Sequence, residues 1–271
     1  MSHSESRPTV TVNGIHELTR VWEPEPGPPR CDVVLVHGIN EHSGRYEHVG
    51  DQLSKAGFRV ESFDLVGWGA TGGPRGDISD WTVYLDQVQR HLEPLLSNQR
   101  PTVLYGHSMG GLIAAEYLVA ERPQPDFAIL SAPSMHAGAA WQRLVAKSLA
   151  PVAGGLRLPA NIKGEELSTD PAVGEAYFAD PLVDTSATIR FAERFFAAMD
   201  RTGNAIADLS VPTLVIHGAD DPIVLSSTLA PFDRIAAAEQ RVYPGIRHEL
   251  HNEPSGPEIL AEVIDWITDR L

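Results

Sequence analysis

The run Gly106-His107-Ser108-Met109-Gly110-Gly111 constrains this chain more than any other stretch. A short apolar segment, Thr102-Val103-Leu104-Tyr105, leads into it, and a helix-like segment from Leu112 leads out. Gly-x-Ser-x-Gly between a strand and a helix is the signature of a nucleophile elbow. The turn is tight enough to strain the serine backbone, and a Cβ at Gly106 or Gly110 would collide with the adjoining strand or helix. Such a turn lifts the Ser108 hydroxyl clear of a sheet and leaves the Met109 N–H beside it. A glycine-rich turn without chemistry is the bland alternative, and the strand-to-helix setting argues against it.

The remainder alternates in a manner that suits this turn. Residues 9–12 and 15–22 flank Asn13-Gly14, a two-residue hairpin signal. Residues 23–30 carry four prolines and a glycine and read as an extended connection. Strands are expected at 32–36, 58–63, 127–130, 211–216 and 240–243, the first of them a continuous apolar run. Helices are expected up to about residue 56, over 81–96, near 226–237 and over 257–271. Gly67-Trp68-Gly69-Ala70-Thr71-Gly72 has the formal spacing of a dinucleotide fingerprint, but the loop runs on through Gly73-Pro74-Arg75-Gly76 where that fold needs a helix. Alternation of this kind predicts an α/β fold with a doubly wound, mostly parallel sheet. Residues 133–208 are too many for a plain loop, and predict a helical cap inserted between core segments 1–132 and 209–271. No cofactor is expected.

Composition narrows the function. The net charge of -15 excludes a nucleic-acid partner that needs a dense basic patch. Cys31 is the single cysteine, so no internal disulfide forms, and a reducing compartment is expected. The first eight residues lack the apolar core of a signal peptide, and no run approaches the ~20 apolar residues of a membrane span. A cytoplasmic protein is expected. A metal is not, because there is no His-Glu-x-x-His and no cysteine cluster.

A serine hydroxyl needs a base and an orienting acid. Active sites of open α/β sheets lie beyond the carboxyl ends of the strands. His248, a short turn after strand 240–243, falls there; His251 is its rival, nearer the last helix. His37, His107 and His217 also flank strand ends and read as structural. The acid should lie between nucleophile and base in the chain, at Asp220 or Asp221 after strand 211–216. The oxyanion needs two N–H donors: Met109, and Ile39 in the loop after strand 32–36.

At this level the chain resembles a family. His37-Gly-x-x-Glu41-His42-Ser43-Gly44-Arg45-Tyr46, Asp64-x-x-Gly67-x-Gly69, the elbow, Asp180-Pro181-Leu182 and Gly245-x-x-His248-x-Leu-His251-x-Glu253 resemble the monoacylglycerol lipase branch of the α/β-hydrolases. The resemblance runs from about Leu18 to the C-terminus. It implies a serine hydrolase with a helical cap acting on long-chain monoesters of glycerol, with lysophospholipids or simple carboxylic esters as alternative substrates. It also implies that the acid is Asp221, completing a triad of Ser108, Asp221 and His248. Asn40 stands where the family often has glycine and Trp68 where it often has histidine, both near the mouth of the site. A ligand-binding protein on the same scaffold is the non-enzymatic alternative; the intact set of triad residues disfavours it. Within the cap, Trp141, Leu144, Val145 and Leu149 recur at helical spacing. Over 133–164 the cations Arg143, Lys147, Arg157 and Lys163 stand without an acid, which fits either peripheral contact with a lipid surface or an ordinary amphipathic cap packed on the core with solvated cations.

Overall fold

The computed structural model describes residues 5–10, 14–24, 27–136 and 138–271. Eight strands form one sheet: β1 (Glu5–Val10), β2 (His16–Trp22), β3 (Cys31–Val36), β4 (Phe58–Phe63), β5 (Thr102–His107), β6 (Phe127–Ser131), β9 (Thr213–Gly218) and β10 (Ala238–Tyr243). Their order is β1-β2-β4-β3-β5-β6-β9-β10. β1 and β2 pair antiparallel at one edge, β2 is antiparallel to β4, and all six strands from β4 to β10 run parallel. The two strands of the expected hairpin are therefore paired; residues 11–13 of its turn lie outside the described residues, as do 25 and 26 of the proline-rich connection.

Why β3, β5, β6 and β9 read as apolar runs, while the flanking parallel strands β4 and β10 carry charged residues, is plain from β3. Successive side chains point to opposite faces. Val34 and Val36 face α2 (Thr82–Leu96) and α3 (Met109–Leu118). Val33 and Leu35 face α1 (Glu47–Lys55) and α8 (Gly256–Thr268). A sheet covered on both sides has no polar face to alternate with.

Two elements differ from expectation. α3 begins at Met109, because Gly110 and Gly111 belong to its first turn and not to a loop before it. Residues Ser226–Arg234 form 3-10 turns instead of an α-helix, with Pro231 inside them denying an α-helical N–H. β10 then starts at Ala238.

Between β6 and β9 the chain leaves the sheet. It forms α4 (Ala140–Ala153), α5 (Gly164–Leu167), α6 (Pro171–Ala179), α7 (Ile189–Ala205) and a two-stranded ribbon, β7 (Arg157–Pro159) with β8 (Ser186–Thr188). α7 returns to the core through Phe191 and Met199. On α4, Trp141, Leu144, Val145, Leu149 and Val152 form one stripe, and all five are exposed, Trp141 by 65% and Val152 by 82%. The cap cations are arranged otherwise than expected. Arg143 binds Asp200 and the Phe196 carbonyl, and Arg157 binds Asp184, Ser186 and the Arg75 carbonyl. Their charge is used within the protein, leaving Lys147 and Lys163 exposed. Among the described residues no helix is long and apolar enough to cross a membrane.

The antiparallel edge is fastened by a buried charge cluster. His91 on α2 places Nε2 2.5 Å from Glu17 on β2 and Nδ1 2.6 Å from Glu61 on β4, with Phe63 stacked on the ring at 4.1 Å. Both nitrogens then donate, so the ring is an imidazolium. Arg90 and Gln87 also bind Glu17, and Arg59 binds Glu61. Burial alone would depress the His91 pKa, but bonds and charge from both carboxylates raise it. Burial would raise Glu17 and Glu61, and His91 instead holds both low. The imidazolium's contribution is complete below the ordinary histidine value of 6.5 and is lost as pH climbs through the raised one. That of the carboxylates is present above their ordinary 4.5 and is lost on acidification. Thermal unfolding of Glu17→Gln/Glu61→Gln should therefore lose stability less steeply than wild type as pH rises above 6.5. Parallel curves would show that His91 is not charged in the folded protein.

Candidate active site

The six parallel strands of the sheet end at the same edge, and the residues singled out above follow those ends. Ser108 leaves β5 with φ 53° and ψ -115°, a left-handed conformation for a non-glycine residue. Its N–H donates to the Ser131 carbonyl (2.9 Å), and its own carbonyl accepts from Leu112 (3.0 Å) and Ser134 (3.1 Å). The surrounding glycines answer to close approach. A Cβ on Gly106 would lie 2.2 Å from the Gly110 carbonyl oxygen, and one on Gly110 would lie 2.2 Å from that of Val36. Gly38, after β3, passes so near that its Cβ would meet Ser108 Cβ at 3.2 Å.

His248 follows β10 and is buried. With its proton on Nδ1 it donates to Asp221 Oδ2 at 2.7 Å, while Nε2 accepts from the Ser108 hydroxyl at 2.9 Å. Asp221 Oδ1 accepts from the N–H groups of Ile223 (2.8 Å) and Val224 (2.9 Å), so the carboxylate is held from both sides. Burial would lower the His248 pKa, but the Asp221 charge and bond, aided by Glu249 and Glu41, raise it. Burial would raise Asp221, and His248 with the backbone donors lowers it. Asp220, the other aspartate of that turn, is exposed and makes no contact with His248.

The rival histidine lies elsewhere. His251 is buried, stacked on Tyr46 at 4.7 Å and edge-on to His107 at 4.9 Å. The other strand-end histidines make structural bonds. His37 donates to the Gly38 carbonyl and accepts from Leu65 N–H. His107 pairs with the Ser131 hydroxyl and His217 donates to the Val224 carbonyl. Ile39 lines the chamber above Ser108. Met109 is the first residue of α3, where N–H groups have no acceptor within the helix. Trp68 is buried against Tyr84 and Phe191, away from the chamber walls, so its departure from the family pattern affects the core.

Three features were not foreseen. Ser134 Oγ stands 3.3 Å from Ser108 Oγ, and nothing in its sequence setting marks it. Arg45 binds Glu249 through two bonds (2.6 and 2.8 Å) and Glu41 through a third (2.6 Å), all with little exposure. Glu41 in turn accepts from Gly38 N–H (2.6 Å) and the Tyr46 hydroxyl (2.7 Å). This joins the loop after β3 to the residue next to His248. The third is a strut between cap and core. Glu253 accepts from Ser168 and Thr169, and Glu249 N–H donates to the Leu167 carbonyl at 2.8 Å. Leu167 and Ile162 of the cap roof the chamber, which measures about 30 Å³.

Known proteins resemble this chain over nearly its whole length. A family model described as serine aminopeptidase, S33, matches residues 27–255. The monoacylglycerol lipase of Mycolicibacterium smegmatis is 33% identical over 270 residues, covering 96% of this chain and 95% of that protein. Human monoglyceride lipase is 31% identical over 277 residues, with 96% and 89% covered. The crystal structure of the Paleococcus ferrophilus monoacylglycerol lipase superposes with a TM-score of 0.85 at 26% identity, over 93% of this chain and 98% of that one. The protein is a serine hydrolase of the branch that holds monoacylglycerol lipases and esterases. Its chain belongs to the serine aminopeptidase S33 family of the α/β-hydrolases.

Proposed function

We propose that this protein hydrolyses monoacylglycerols through an acyl-enzyme on Ser108. The observation that carries the chemistry is His248, bonded to Ser108 on one side and to Asp221 on the other. Ser108 Oγ attacks the ester carbonyl while His248 Nε2 takes its proton. The N–H groups of Ile39 and Met109 receive the oxyanion. His248 returns the proton to the leaving alcohol, and water attacks the acyl-enzyme by the same route. Asp221 stays ionised and stabilises the imidazolium. Residues 133–208 act as the cap on a core of 1–132 and 209–271. A chamber of about 30 Å³ has room for a water or two, so an acyl chain enters only when the roof around Leu167 shifts.

The family name raises amide hydrolysis at a free amino terminus as a second reading. That substrate carries an ammonium group and needs a carboxylate to hold it. Glu41 and Glu249, the two acids lining the chamber, are already bound to Arg45. An uncharged ester suits the site better, and the names of the relatives, monoacylglycerol and monoglyceride lipases, favour a glycerol ester.

Ser108→Ala should lower turnover of a monoacylglycerol by a factor on the order of 10⁶. A fluorophosphonate should label Ser108 and no other serine; labelling elsewhere, with activity surviving in the variant, would remove the assignment. Asp221→Asn should cost roughly 10⁴ in turnover, and Asp220→Asn little. Activity needs the neutral His248 ring, so kcat/KM rises as pH climbs through its raised pKa. Losing Asp221 lowers that pKa and should move the acid limb to lower pH. A limb that stays in place would mean another group sets it.

The exposed stripe on α4 supports peripheral contact with lipid, carried by apolar area more than by charge. Trp141→Ser with Val152→Ser removes two of its exposed members. A loss of even ~1 kcal/mol at each position lowers vesicle partitioning by roughly tenfold or more. Hydrolysis of long-chain monoacylglycerol in vesicles should fall with it, and cleavage of a soluble short-chain ester should hold. Equal loss on both substrates would indicate a damaged cap instead.

A further inference from the structure

The chain leaves β6 through an unusual turn that ends on the nucleophile. Ala132 is fully buried and has φ 43°, in the left-handed region that residues with a Cβ rarely enter. Its N–H donates to the Ile216 carbonyl at 2.8 Å, which fixes the turn against β9. Pro133 then packs on the first turn of α3, where a Cβ on Gly111 would fall 2.9 Å from Pro133 Cα. Ser134 comes next. Its N–H donates to the Ser108 carbonyl at 3.1 Å, while the Ser108 N–H donates to the Ser131 carbonyl. The two turns are thus laced together through their backbones. Strain of this kind persists where the surrounding structure enforces it, and it clusters at functional positions. What this turn delivers is the Ser134 hydroxyl, buried and 3.3 Å from Ser108 Oγ.

Proton count fixes the direction of that contact. A hydroxyl has one hydrogen to donate and two lone pairs to accept with. The Ser108 hydrogen goes to His248 Nε2, whose ring keeps its own proton on Nδ1 for Asp221. Ser134 is therefore the donor and Ser108 Oγ the acceptor. At 3.3 Å the bond is long, as hydrogen bonds in resting sites often are before charge develops. Its strength follows the charge on Oγ through the cycle. In the free protein Oγ accepts it both before and during attack, so acylation gains little. In the acyl-enzyme Oγ is the alkoxy oxygen of an ester, whose lone pair is drawn into the carbonyl, and it accepts poorly. Water then adds to the acyl carbon, His248 takes the water proton, and a tetrahedral intermediate forms. The C–Oγ bond breaks, its electron pair returns to Oγ, and His248 gives that oxygen the proton. The Ser134 bond regains its strength as Oγ departs, and Ser134 keeps its own proton throughout.

We propose that Ser134 is a catalytic residue of deacylation, donating a hydrogen bond to Ser108 Oγ as that oxygen leaves the acyl group. This rests on the acyl-enzyme reading above. A carbamate tests it, because a carbamoylated serine hydrolyses slowly enough for the two halves of the cycle to be timed separately. Wild type and Ser134→Ala are treated with p-nitrophenyl N-methylcarbamate, and nitrophenolate release gives the rate of carbamoylation. Excess reagent is then removed, and the return of esterase activity gives the rate of decarbamoylation. Ser134→Ala should melt with wild type and carbamoylate within about threefold of its rate. Its recovery should be slower on the order of 10-fold, as for the loss of one hydrogen bond to developing charge. Recovery of Ser134→Ala at the wild-type rate would overturn the assignment and leave Ser134 a satisfied buried hydroxyl. Equal slowing of both steps would overturn it too, since a residue that only places Ser108 slows each step alike. Either result leaves the acyl-enzyme reading standing. Wild type that takes no carbamoyl group on Ser108 would overturn both.

Discussion

Helix α3 and strand β3 meet at Gly110 with no room for a methyl group, and the rest of the site depends on that contact. A Cβ there would fall 2.2 Å from the Val36 carbonyl oxygen. Only at this approach can the chain leave β5, turn through Ser108 at φ 53° and enter α3 at once. The strained turn points the serine hydroxyl out at the carboxyl edge of the sheet. Strands β9 and β10 end at the same edge, and their loops carry Asp221 and His248 to it. The apolar layers on both faces of the sheet hold the strands in register, and so hold three side chains from distant parts of the chain within hydrogen-bond reach.

Arg45 ties two loops of the site together. Its guanidinium spans Glu41, which bonds to Gly38 N–H, and Glu249, which follows His248. Buried ion pairs often add little net stability, because desolvation offsets their attraction. Removing one partner is another matter, since it strands a buried charge at a cost of roughly 3–5 kcal/mol. The network is thus better understood as a tie between loops than as a source of stability. The cap is fastened to the same loop, through Glu249 N–H to Leu167 and Glu253 to Ser168 and Thr169. A shift of the roof therefore acts on the loop that carries the candidate base.

Much of this was legible in the residues. Continuous apolar runs marked β3, β5, β6 and β9 because a sheet covered on both faces leaves no other pattern. The elbow marked Ser108 because its glycines answer to sterics. Other features needed three dimensions. Asp220 and Asp221 share one turn, and their separation is a matter of burial and direction, which no local pattern encodes; family resemblance alone had pointed to Asp221. Arg143 and Arg157 looked like unpaired cap cations because Asp200 and Asp184 lie far along the chain. The turns at 226–234 looked helical because hydrophobic spacing does not report the missing N–H of Pro231. Asn40 showed only as a departure from glycine, and its complete burial became apparent once the packing around it was known.

The central claim is that one ester passes its acyl group to Ser108 before water takes it. Acid quench of the protein during turnover of a long-chain monoacylglycerol, followed by peptide mass analysis, tests this directly. One fatty-acyl ester is expected on the peptide containing Ser108, with glycerol released before the fatty acid. An acyl group on another residue, or turnover that leaves Ser108 unmodified at every quench time, would contradict it.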